Sequence, residues 1–177
     1  MNMMKWEVDP DHSSVEFSVA HLMINKIKGY FEQFQAGLQF DPADLTTLDI
    51  RASIEANSMT TRQRQRDEHL RGEDFFHTAK YPSISFESTG CIIIGERQCE
   101  LHGHLTLHGV TKPVTFYTVF EGLGKDPRGR ERAGFHATAN IDRNEFGLVF
   151  DSPLETGGII VGNEVTIELN IEAIRMD

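Results

Sequence analysis

A chain of 177 residues is long enough to enclose one core, and a formal net charge of −10 works against nucleic acid and anionic surfaces as partners. Apolar residues make up a modest 39%, yet the 12 Phe recur at regular spacing, which excludes a disordered chain. No run approaches the roughly 20 apolar residues of a spanning helix, and the start Met1-Asn2-Met3-Met4-Lys5-Trp6-Glu7 lacks the apolar stretch of a secretion signal. A cytoplasmic protein without integral membrane association is therefore expected.

Alternation of apolar and polar residues with period two dominates the chain. Trp6 and Val8 open a first strand, closed by Asp9-Pro10-Asp11. Val15, Phe17, Val19 and His21 share one face of the next. From Ile27 to Phe40 the apolar parity changes: Ile27, Gly29 and Phe31 are odd, whereas Phe34, Ala36, Leu38 and Phe40 are even. Such a switch needs a bulge or bend, and Gly29 and Gly37 are the flexible positions nearby. Ile50, Ala52, Ile54 and Ala56 form the following face.

The stretch from Thr60 to Phe76 has no alternation and is rich in Arg, Gln, Glu and Leu, so it predicts a short helix with Phe75 and Phe76 docking its end. Cys91 and Cys99 flank Ile92-Ile93-Ile94-Gly95-Glu96-Arg97, which reads as a hairpin. Symmetry about Gly95 sets the two cysteines opposite each other, a geometry that permits a cross-strand disulfide, while a reducing compartment favours two free thiols. Strand faces follow at Leu101, Gly103, Leu105 and Leu107, at Val114, Phe116 and Phe120, and at Ala133, Phe135, Ala137, Ala139 and Ile141. A Gly- and charge-rich loop, 122–130, separates the last two of these. The final face is Val165, Ile167, Leu169, Ile171 and Ala173.

With eight or more strands, one helix and no linker or repeat, residues 1–177 read as a single all-β domain, a sandwich or a barrel. The long strands and the parity switch favour an extended antiparallel eight-stranded barrel with one short α-helix inserted near residues 60–76. Such a barrel is either filled by side chains or holds one small ligand, and periodicity does not distinguish the two.

The chain resembles the YceI-like family of lipid- and polyisoprenoid-binding proteins along nearly its whole length. The resemblance rests on Asp9-Pro10-Asp11-His12-Ser13-Ser14-Val15-Glu16-Phe17-Ser18-Val19, Lys28-Gly29-Tyr30-Phe31, and Arg66-Asp67-Glu68-His69-Leu70-Arg71-Gly72-Glu73-Asp74-Phe75-Phe76. It continues through Tyr81-Pro82-Ser83-Ile84-Ser85-Phe86, the block from Gly103 to Val114, Ile141-Asp142-Arg143-Asn144-Glu145-Phe146-Gly147 and Val161-Gly162-Asn163-Glu164-Val165. Thr60-Thr61-Arg62-Gln63 departs from the family, which more often has a Gly-containing turn there. The resemblance implies a lipocalin-like hollow barrel that binds, sequesters or transports a long-chain isoprenoid, of polyisoprenoid or quinone type, with no other cofactor and no catalytic machinery. An enzyme acting on such a lipid and a filled-barrel interaction scaffold are the alternatives, and a homodimer through an outer face is compatible with either.

Candidate ligand contacts are Phe17, Val19, Phe31, Phe40, Ile54, Phe86, Leu105, Phe116 and Phe135 along the apolar faces. His21 shares its face with Val15, Phe17 and Val19, while Arg66 and His69 on the helix are candidates for a polar head group at the cavity mouth. Asp67 reads as a local ion pair or cap. His102, His104 and His108 alternate with the apolar face of their strand, and no Cys or carboxylate at matching spacing completes a tetrahedral set, so no metal is expected. Nucleophile elbows and phosphate loops are lacking in the sequence. An enzymatic alternative would have to draw its acid–base groups from His21, His69 or Asp142, and Asp142, Arg143 and Glu145 read equally well as a turn at the barrel rim.

Overall fold

The computed structural model describes residues 3–22, 24–150 and 161–176. Its strands are β1 (Met4–Val8), β2 (Ser14–His21), β3 (Asn25–Phe31), β4 (Phe34–Asp41), β5 (Asp44–Glu55), β6 (Met59–Thr60), β7 (Ser83–Gly95), β8 (Gln98–Leu107), β9 (Val110–Lys125), β10 (Glu131–Asp142) and β11 (Val161–Arg175). One helix, α1 (Arg64–Arg71), lies between β6 and β7.

These segments make eight staves of a closed antiparallel barrel. β1 and β2 lie end to end along β11, as Trp6 pairs with Arg175 and Val15 with Leu169. β3 and β4 lie end to end against them, with Val15 opposite Phe31 and Trp6 opposite Leu38. The ring then runs β4–β5–β7–β8–β9–β10–β11 and closes on β1. Closure removes most of the sheet edges that would otherwise invite aggregation, and among the described residues Asn25 to Gly29 of β3 pairs on one side only.

The parity switch falls at Glu32 and Gln33, between β3 and β4, and not at the glycines beside it. Here Glu32 N–H donates to Ser58 O and Glu55 N–H to Gln33 O, so the break is held by the β5–β6 connection. Gly29 has another duty. A Cβ there would lie 2.1 Å from Phe17 Cζ, so the glycine makes room for the Phe17 ring to lie across β3.

The interruption between β1 and β2 is pinned from outside. Ser13 Oγ donates to Glu172 O and Glu172 N–H donates to Ser13 Oγ, tying the detour to β11. Arg132 on β10 bridges Asp9 and Glu172 at 2.8 and 2.9 Å and reaches Asp126 at 3.1 Å. Its guanidinium, with His12, holds the Asp9 carboxyl down at about 2.

The helix is shorter than the span 60–76. Met59 and Thr60 pair with β3 instead, through Phe31 and Tyr30. Gln63 starts α1 by accepting from Arg66 N–H, and Gly72 stops it. Beyond Gly72 the chain folds back in turns, with Phe76 N–H donating to Leu70 O at 2.9 Å.

The β7–β8 hairpin is also offset from symmetry about Gly95. Irregularities between Ser88 and Gly90 and between Ile93 and Gly95 shift the register, so Cys91 faces Leu101 and Cys99 faces Ile93. The cysteines are therefore diagonal neighbours and both are free thiols. The Cys99 thiol beside it, and then burial, push the Cys91 thiol up.

Candidate ligand cavity

The inner faces of the staves enclose a cavity of about 200 Å³. Nearly every wall residue is aliphatic or aromatic; Glu16, Gln35, Thr118 and Arg143 also border it, but no polar atom of the described residues is exposed to the space. Each stave contributes through its alternation: Val15, Phe17 and Val19 from β2, Ile50, Ala52 and Ile54 from β5, Val165, Ile167, Leu169 and Ile171 from β11. At the α1 end, Leu70, Phe75 and Phe76 close over it. The Phe17 ring lies 5.6 Å from Phe31 and 6.2 Å from Phe76, giving an aromatic cap. At the other end Trp6, Phe40, Phe120 and Phe135 pack into a solid floor, with Phe40 5.4 Å from both Trp6 and Phe135.

The polar groups at the α1 end serve the protein itself. Asp67 is buried and accepts from Thr61 N–H at 2.8 Å, from the Thr61 hydroxyl and from the Thr60 hydroxyl. It acts as a cap that fastens the β6–α1 turn, with hydroxyls where an ion pair would need a cation. Arg66 donates through Nε to Thr61 Oγ1 and through Nη2 to Thr61 O. Arg143, 3% exposed, donates to the carbonyls of Gly162, Leu148 and Phe150 at 2.6–2.8 Å, so it holds together the chain on both sides of residues 151–160. Its buried charge is met by this ring of backbone acceptors.

Of the residues singled out from sequence, Phe17, Val19, Phe31, Ile54, Phe86, Leu105, Phe116 and Phe135 line the cavity. Phe40 does not; fully buried, it is the centre of the floor. His21 ends β2, opposite Asn25 and Val161, outside the lining. His69 is exposed on α1, hydrogen-bonded to Asp74 at 2.8 Å and flanked by the rings of Phe75 and Phe150. Arg66 likewise lies off the cavity. Sequence reasoning missed Leu70, Leu101, Leu148 and the buried Arg143. A lone Arg between two carboxylates reads as a rim charge, and only the folded chain brings the carbonyls of Leu148, Phe150, Val161 and Gly162 around it.

Among the described residues, no histidine, cysteine, serine, tyrosine or aspartate lines the cavity. His102 is engaged by Thr115 and Glu100, and His108, beyond the end of β8, is bonded to Phe146 O. Asp142 is the cap of the turn 143–146, accepting from Asn144 N–H. Asp9, His12 and Glu172 do lie close enough to share a cation, but the Arg132 guanidinium already sits between Asp9 and Glu172.

A closed antiparallel barrel with an apolar interior and one capping helix defines the class. Within it, the YceI-like domain model matches residues 6–173, and the chain belongs to the YceI-like family. The UPF0312 protein of Staphylococcus aureus strain N315 is 36% identical over 171 residues, covering 96% of this chain and 97% of its own. Among solved structures, Burkholderia cenocepacia BcnA superposes with a TM-score of 0.82 at 24% identity, covering 93% of this chain and 98% of its own. The Campylobacter jejuni YceI protein gives 0.77 at 28% identity, with 89% and 90% covered. A polyisoprenoid binding domain from Saccharophagus degradans gives 0.75 at 14% identity, with 98% and 99% covered.

Proposed function

We propose that this protein holds an apolar lipid chain of isoprenoid type inside the barrel, sequestering or carrying it, and does no chemistry on it. The observation that carries this reading is the cavity to which no polar atom is exposed. Such a space rewards methylene and methyl groups at roughly 0.8 kcal/mol each and offers nothing to a polar substrate. Among the described residues Glu16 is the one carboxylate bordering the space and exposes no polar atom to it, which supports binding over catalysis, since proton transfer needs a donor within hydrogen-bond reach. The fold shared with a domain described as polyisoprenoid binding supports the choice of lipid. A cytoplasmic address is part of this proposal.

Size refines the proposal. An apolar cavity of roughly 150 Å³ takes up benzene, so about 200 Å³ accommodates only a short segment of chain without rearrangement. A longer isoprenoid enters by displacing side chains, and the aromatic cap of Phe17, Phe31 and Phe76 is the place where rings can turn without unpacking the floor. Organic extraction of the purified protein followed by mass spectrometry tests the reading. A reproducible isoprenoid at near-stoichiometric yield is the expected result; no extractable lipid, together with no uptake of an added fluorescent polyene, would sink it.

A further inference from the structure

The β2–β3 hairpin stands at the α1 end of the barrel and leaves large aliphatic side chains in solvent: Ile24 is 86% exposed and Leu22 36%. Ile24 N–H donates to His21 O, closing a tight turn, and within it Leu22 has a φ of 54°. That left-handed region suits Gly or Asn, and a branched aliphatic there is strained. The turn thus sacrifices stability to present apolar groups to water, which is the kind of outlier that signals a use.

The charges within the hairpin itself are of one sign. No Asp or Glu occurs from Phe17 to Phe31. Lys26 and Lys28 are exposed, and among the described residues neither has a carboxylate partner. By register the acid beside them is Glu16 on β2, opposite Tyr30 and so diagonal to Lys28. From Asn25 to Gly29, β3 pairs only with β2 among the described residues, because β6 meets it at Tyr30 and Phe31 alone. Lysines along that free edge disfavour a protein strand as partner. Two aliphatics at a tip with lysines just behind match a lipid headgroup layer, where apolar groups insert and ammonium groups meet phosphates.

We propose that the β2–β3 hairpin docks this protein on an anionic phospholipid bilayer, with Leu22 and Ile24 entering the headgroup layer and Lys26 and Lys28 against lipid phosphates. The net charge of −10 works against an anionic surface at long range, but fields decay over about 8 Å at physiological salt, so at contact the charges of the hairpin itself decide. The proposal deepens the cavity reading, on which its purpose rests: docking sets the capped α1 end against the surface where an apolar chain is exchanged.

Co-sedimentation with sucrose-loaded vesicles tests it, comparing equimolar phosphatidylglycerol and phosphatidylcholine with phosphatidylcholine alone. Binding to the anionic vesicles is expected to be at least about tenfold the stronger, two lysines each contributing roughly fivefold. Ile24→Asp, and Lys26→Glu with Lys28→Glu, are each expected to lower it at least about tenfold, with uptake of a soluble fluorescent polyene unchanged. Leu22→Asn separates docking from folding: it should raise Tm by relieving the turn and still weaken vesicle binding. No sedimentation of the unaltered protein with anionic vesicles, or variants that sediment like it, would overturn the proposal. Docking that behaves as expected in a protein taking up no polyene would keep this inference and remove the cavity reading.

Discussion

The floor and the upper half of the barrel are built from the same alternating strands, yet one is solid and the other hollow. At the floor, large rings from four segments converge: Phe40 stands 5.7 Å from Phe120, which stands 5.2 Å from Phe135, with Trp6 against Phe40. Higher up, the facing positions hold Ala36, Ala52, Ala137, Ile54, Ile167 and Leu169, which do not reach across. An eight-stranded barrel is just wide enough for side chains to fill it. Swapping rings for short aliphatics on a few staves is therefore enough to leave a space, and the cavity is a local choice of side-chain length within a uniform scaffold.

The strongest way to break this comparison is Phe40→Ala. A fully buried ring at the centre of the floor should cost about 3–5 kcal/mol in urea unfolding, whereas Phe17→Ala in the half-buried cap should cost clearly less. Equal losses would mean that the floor is no more solid than the cap. Next come two glycines. At Gly103 an added Cβ would lie 2.5 Å from Glu87 O, a backbone atom that cannot yield, so Gly103→Ala should lose about 1–3 kcal/mol. Gly29→Ala meets only the Phe17 ring, which can swing inward. Its expected signature is reduced polyene uptake with a smaller drop in Tm.

Ala137→Phe sharpens the hollow half. The new ring should occupy the cavity and lower polyene affinity at least about tenfold while the unfolding midpoint moves little; undiminished uptake would place the ligand elsewhere. The smallest effect belongs to the clamp on the outer wall. The folded-state pKa of Asp9 lies near 2, below its ordinary 3.8, so its contribution is fully present above about pH 4 and is lost as pH falls towards 2. Arg132→Met should therefore be less stable than the unaltered protein at pH 5, with the gap narrowing towards pH 2. A gap that stays constant across that range would exclude the Asp9–Arg132 pair as its source.

Much of this was readable before folding. Odd parity at Val165, Ile167, Leu169 and Ile171, and even parity at Ile50, Ala52 and Ile54, identify the inner faces, and eight of the named cavity candidates line the space. The parity change between Phe31 and Phe34 brackets the bend correctly, but the glycines mislead, because Gly29 answers to the Phe17 ring and not to the backbone. The exact hairpin register at Cys91 and Cys99 escaped for a similar reason. Bulges insert residues without any mark in composition, and each moves the partner by one place. Arg66 and His69 looked available for a head group, and their partners at Thr61 and Asp74 emerge only once the helix is in place.

The sequence by itself determined the barrel, its inward faces and the family, since strand period and ordered motif blocks are properties of neighbours along the chain. Only the tertiary structure decided which inward phenylalanines fill and which line. Phe40 and Phe116 have the same local pattern, but Phe40 meets rings from facing staves, whereas Phe116 stands beside Phe86 at the edge of the space. The difference between a plug and a wall lies in what stands across the barrel, and that depends on residues far apart in sequence.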